Sequence, residues 1–232
     1  MPHICHGFIA LLVALGISSD ISAQDKKYSI KTATNAIPKD VSDPIKKLLA
    51  EQSVQLLDSS GTPLCEVWFR KEIPADATPA QIKTGVTWRE VKHTEILGVL
   101  QIFKEITDYR KQKIKAGVYT MRLAFQPTDG KHTADVADFQ EFALVIKAAA
   151  DTKTALMETK MLHDKSGDTL DIAHPGVFML WPNLKPGPEP TLVAQPKNHW
   201  VLNSKANLVV GGKATGTSIG IGVTFIGHSP AE

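Results

Sequence analysis

The sequence predicts an all-β fold, an antiparallel β-sandwich with one or two short helices, and three observations lead there. First, apolar and polar residues alternate in Val118-Tyr119-Thr120-Met121-Arg122-Leu123-Ala124-Phe125, the period of a half-buried strand. Second, Ser53 to Asp58 and Leu64 to Arg70 are apolar runs joined by Ser59-Ser60-Gly61-Thr62-Pro63, which reads as a β-hairpin. Third, about nine strand candidates stand against two short helical patterns, whereas a parallel sheet needs a helical crossover after nearly every strand.

The elements follow in chain order. Phe8 to Ile17 is an apolar run of ten residues. At 1.5 Å rise per residue it covers about half of a roughly 30 Å bilayer core, the length of a signal-peptide apolar region and not of a span. A leader over residues 1–23 is expected, cleaved after Ala23, although its head carries only His3, His6 and the amino terminus as positive groups. Export to the periplasm or the extracellular space follows as an expectation. No later segment is apolar and long enough to cross a bilayer, so a soluble product is expected, with residues 24–232 as one domain. Tyr28 to Lys31 reads as a short strand. Asp43 before Pro44 reads as an N-cap with proline at the first helical position, and Ile45, Leu48 and Leu49 share a face over two turns. Pro74 and Pro79 are expected to end the hairpin region. Further strands are expected over 94–103, 117–126, 139–147, 176–181, 191–195, 199–203 and 217–226, with a second helix from Asp151 to His163. Lys185-Pro186-Gly187-Pro188-Glu189-Pro190 reads equally as a stiff surface loop or as a domain linker, and one domain is the expectation kept.

Charge and cysteines narrow the function classes. The formal net charge is +2, with basic and acidic residues interleaved, so no basic stripe would track a phosphate backbone and nucleic acid is not an expected partner. Of two cysteines, Cys5 leaves with the leader, so Cys65 cannot form an intramolecular disulfide. Leu64 and Val67 place Cys65 in a strand, where a lone thiol is an inert core residue.

Lys115-Ala116-Gly117-Val118-Tyr119-Thr120, with Thr87-Trp88-Arg89 before it, resembles a motif of uncharacterised exported bacterial β-sandwich proteins. Asp58-Ser59-Ser60-Gly61 and Leu64-Cys65-Glu66-Val67-Trp68 look similar to hypothetical exported proteins of planctomycete-type bacteria. The resemblance spans residues 53 to 147 and implies a sandwich and export. It departs at Glu90-Val91-Lys92, where the first family has small residues, and it carries over no activity and no binding residue.

Candidate chemistry is sparse. Met157, Met161 and His163 offer thioether and imidazole ligands that suit copper, the one cofactor the sequence raises. On one helix, however, His163 lies about 200° around the axis from Met161, and two methionines at this spacing are more often a face packed on a core. The histidines of the mature chain, His93, His132, His163, His174, His199 and His228, show no paired metal-ligand spacing. His132 and His174 sit in turn-like sequence and are the ones expected to approach a ligand. Acid pairs such as Asp135 with Asp138 or Asp164 with Asp168 do not fix a carboxylate separation. Gly216, Gly220 and Gly222 fall in a closing strand and suggest close packing. Trp68 and Trp181 have apolar neighbours and belong in the core. Trp88, beside Arg89, and Trp200 are the candidates for a wet surface on which sugar rings stack. The expectation is a binding module, more on the side of no enzyme than of enzyme, that meets an unknown protein, small-molecule or glycan partner through loops. The alternatives are a copper protein and a glycan-active protein.

Overall fold

The computed structural model describes residues 27–127, 137–172 and 174–229. The expected leader, His132 and Asp135 lie outside the described residues. In chain order the elements are β1 (Tyr28–Ala33), α1 (Asp43–Lys46), β2 (Ser53–Asp58), β3 (Pro63–Phe69), β4 (Glu72–Ala75), α2 (Pro79–Thr84), β5 (Ile96–Ile102), β6 (Ile106–Thr107), β7 (Lys113–Ile114), β8 (Gly117–Phe125), β9 (Glu141–Lys147), α3 (Thr159–Leu170), β10 (Gly176–Met179), β11 (Thr191–Gln195), β12 (His199–Val210) and β13 (Lys213–Ile226). The fold is mainly β, with antiparallel sheets and few short helices. The large sheet has seven strands in the order β1-β2-β3-β5-β8-β9-β10, and every neighbouring pair in it is antiparallel.

The small sheet is built on the β12–β13 hairpin. Gly211 and Gly212 form its two-residue turn with φ of +57° and +76°, a left-handed pair that only glycine adopts freely and that matches strand twist. β11 pairs antiparallel with residues 199–203 of β12 and β4 pairs parallel with residues 207–210, so both lie along one side of it. The sheets pack face to face. Val67, Leu100, Met121 and Val145 of the large sheet share one buried cluster with Leu202, Leu208, Ile221 and Phe225 of the small one.

Alternation along β8 holds, since Tyr119, Met121 and Leu123 enter that cluster. Its other face, which the pattern leaves polar, is also covered: Thr120 and Arg122 are both 0% exposed. Residues 148–158 run across them. Arg122 Nε and Nη2 donate to the Asp151 carboxylate at 2.7 and 2.9 Å, while Nη1 and Nη2 reach the carbonyls of Thr94, Lys153 and Ala155 at 2.7, 2.6 and 3.2 Å. Thr120 Oγ1 donates to the same carboxylate at 2.6 Å. All five guanidinium N–H groups are therefore satisfied.

This network corrects the second helix. The sequence places it at 151–163, but α3 covers Thr159–Leu170, because the carbonyls of Lys153 and Ala155 are held by Arg122 and residues 151–158 stay non-helical. α1 is one turn, not two, with Ser42 at the N-cap and Asp43 inside the first turn. Pro79 starts a helix where it was expected only to stop a strand. Thr78 and Gln81 form a reciprocal capping box around it, and Pro at the first position lacks an N–H that would be unpaired anyway. Pro74 lies within β4, an edge strand where a missing donor is tolerated.

Candidate functional site

After β10 the chain meets β13 through a bridge between Leu180 and Val223, and the Trp181 N–H donates to the Gly222 carbonyl at 2.9 Å. It then runs across β13 at Gly222 and Gly220. A Cβ at Gly222 would lie 2.5 Å from the Trp181 carbonyl oxygen, and one at Gly220 would run into the Asn183 carbonyl oxygen. These glycines are there so that one backbone can lie on another. Gly220→Ala is expected to cost about 1–3 kcal/mol through this backbone clash. Urea denaturation checks it; an unchanged midpoint would show that the 181–183 crossing has no part in stability.

Beyond the crossing, Asn183 Nδ2 donates to the Ser204 carbonyl at 3.0 Å, and residues 185–190 arch back to β11. Under the arch is a cleft of about 190 Å³ lined by Asn183, Lys185, Glu189, Thr191, Asn203 and Ser204. Thr191 and Asn203 are direct cross-strand partners, so two strands of the small sheet form its floor. The walls supply side-chain amides, hydroxyls, one cation and one carboxylate. Such a set donates and accepts hydrogen bonds to hydroxyl groups.

The residues expected from sequence are dispersed. Trp88 corrects the wet-surface expectation. It is 7% exposed, because Thr87 and Glu90 cap a 3₁₀ turn over Trp88–Glu90 that turns the ring into the main core. Arg89 is exposed and engaged, donating to Glu141 at 3.0 Å and Gln140 at 2.7 Å. Trp200 is half-buried edge-on against Tyr28, with centroids 5.3 Å apart, and His199 beside it is fully buried. His174 is exposed, its Nδ1 3.5 Å from Arg110 Nη1. No hydrogen bond or ring contact joins Trp88, Arg89, His174 and Trp200 among the described residues. Trp68 is fully buried as expected, whereas Trp181 is only half-buried against Phe139.

The copper trio also separates. Met157 lies before α3 and packs on the outer cluster of the large sheet. Met161 is 48% exposed on the helix, so the two methionines do not form one packed face. Among the described residues no three His, Cys, Asp or Glu side chains gather as metal ligands. Cys65 is buried in β3, where burial pushes its thiol up to about 12, so it stays protonated at neutral pH.

Sequence reasoning marked residues 185–190 as a loop and Gly220 and Gly222 as closely packed, but it did not connect them. Asn183, Asn203 and Ser204 carry no motif. The one available signal was a polar arch followed by glycines two apart in a later strand.

The described residues thus form a mainly β protein, a seven-stranded and a four-stranded sheet with a two-stranded β6–β7 ribbon, and a polar cleft lies between a loop and the four-stranded sheet. The chain matches no protein-family model, no curated protein and no solved structure. No helix among the described residues is long and apolar enough to cross a membrane.

Proposed function

We propose that this chain is an exported binding module that holds a polar, hydroxyl-rich ligand, such as one sugar unit of a glycan, in the cleft under residues 185–190. The observation that carries this reading is the lining itself: Asn183, Asn203, Thr191, Ser204, Lys185 and Glu189 face one space of about 190 Å³. That volume is below the roughly 300–1,000 Å³ of drug-sized sites, so the occupant is one small polar unit or the end of a longer chain. Side-chain amides and a carboxylate suit hydroxyls, each of which both donates and accepts. Three prolines in residues 185–190 stiffen the arch and lower the cost of ordering it on binding. Export rests on the apolar run from Phe8 to Ile17 and the small residues before Gln24.

A glycan array followed by saturation-transfer NMR tests the reading. Asn203→Ala and Glu189→Ala are each expected to weaken binding about tenfold, the worth of one good hydrogen bond. A silent array, or binding unaltered by both variants, would overturn it. The exported fraction of expressing cells should contain protein beginning at Gln24; retention of the intact chain in the cytosol would remove export.

A further inference from the structure

We propose that His93 and His163 form a two-imidazole site for a divalent late transition metal, Cu(II) foremost, at the junction of residues 93–94 with α3. The site is distinct from the cleft and does not rest on the ligand assigned there.

Two hydrogen bonds build the junction. The Met157 N–H donates to Thr94 Oγ1 at 3.0 Å, and Thr159 Oγ1 lies 3.1 Å from His93 Nδ1. Thr159 opens α3, and His163 follows it by four residues, so both lie on the helix face toward His93. The His93 ring is held edge-on to Phe125, with centroids 5.6 Å apart. Its Nε2 is closed off from solvent and has no hydrogen-bond partner among the described residues. With the proton on Nδ1, the Nε2 lone pair needs either a donor or a Lewis acid.

The electrostatics agree with this geometry. Burial first, and then the neighbouring His163, hold the proton affinity of His93 below the ordinary imidazole value, which favours the neutral form that ligates metals. Imidazole nitrogens suit copper, nickel and zinc, and Cu(II) binds most strongly in that series. In the tautomer that ligates through Nε2, Nδ1–H donates to the Thr159 hydroxyl, the outer-shell contact that metal-bound histidines usually have. Met161 has no part here, since it lies about 160° around α3 from His163 and is half-exposed. Two protein nitrogens leave the remaining positions to water or an external ligand.

Titrating Cu(II) into the full chain by calorimetry, with electron paramagnetic resonance on the product, tests the site. One tight equivalent with a two-nitrogen hyperfine pattern is expected. His93→Gln and His163→Gln should each abolish that equivalent, and Thr159→Val should weaken it roughly tenfold. His228→Gln should leave it intact. Near-UV circular dichroism confirms that each variant is folded, and the Thr159 variant reads the site without removing a ligand. Absence of a tight equivalent, or one that survives in the double histidine variant, would overturn the proposal and place any copper on other histidines.

Discussion

Arg122→Met is expected to destabilise the folded chain by about 3–5 kcal/mol, the cost of leaving a buried charge without its partner. Asp151 is 3% exposed, and without Arg122 its carboxylate would keep, among the described residues, the Thr120 hydroxyl alone. The carbonyls of Thr94, Lys153 and Ala155 would lose their donor as well, so the strap over 151–158 would come loose from the large sheet. Arg122→Lys is no rescue, because a single ammonium cannot span two carboxylate oxygens and three separate carbonyls. Asp151→Ala should cost a similar amount, and the double variant less than the sum, since neither charge is then stranded. Contrast decides whether burial is the cause. Lys115 and Asp171 form an ion pair at 3.3 Å with side chains 78% and 69% exposed, and removing it should change stability by at most about 1 kcal/mol. Chemical denaturation measures all five variants. Equal small effects at both pairs would show that the Arg122 network has no special weight.

Trp88→Ala is expected to cost about 3–5 kcal/mol, the range for emptying a large aromatic site in a core. Trp88 shares the main cluster with residues of both sheets, so its removal opens a void that neither sheet can close alone. Any loss of glycan binding in this variant should follow the folded fraction and no more. Trp200→Ala should be milder, because Trp200 is only half-buried against Tyr28. A Trp88→Ala protein with unchanged stability and lost binding would return Trp88 to the ligand surface.

These two residues show how far the sequence could be read. Strands were legible where side chains alternate, as in β8 and in the β2–β3 hairpin, because period two is a local property of the extended backbone. β12 was expected to stop at Asn203 and runs to Val210, since Ala206 and Leu208 alternate weakly between polar neighbours and the Gly211-Gly212 turn was not recognised. Trp88 was misplaced because its direction is set by a capped 3₁₀ turn, and Arg89 next to it gave a polar signal that belongs to the opposite side. Of the candidate cleft only the loop was legible. Its floor comes from a cross-strand pair at 191 and 203, and its wall from a crossing at 220 and 222, separations that no local pattern encodes.

The sequence by itself determined an all-β chain with few helices, a Cys65 placed in a strand and an apolar leader-like run, because each follows from the character of neighbouring residues. The tertiary structure alone decided that β8 is buried on both faces, that residues 151–158 are non-helical, that Trp88 is core, and that Asn183, Thr191 and Asn203 share one cleft. The physical reason is that burial and convergence depend on what distant segments place over a residue. Arg122 reads as surface until residues 148–158 are laid across it, and only then do its five donors find their acceptors.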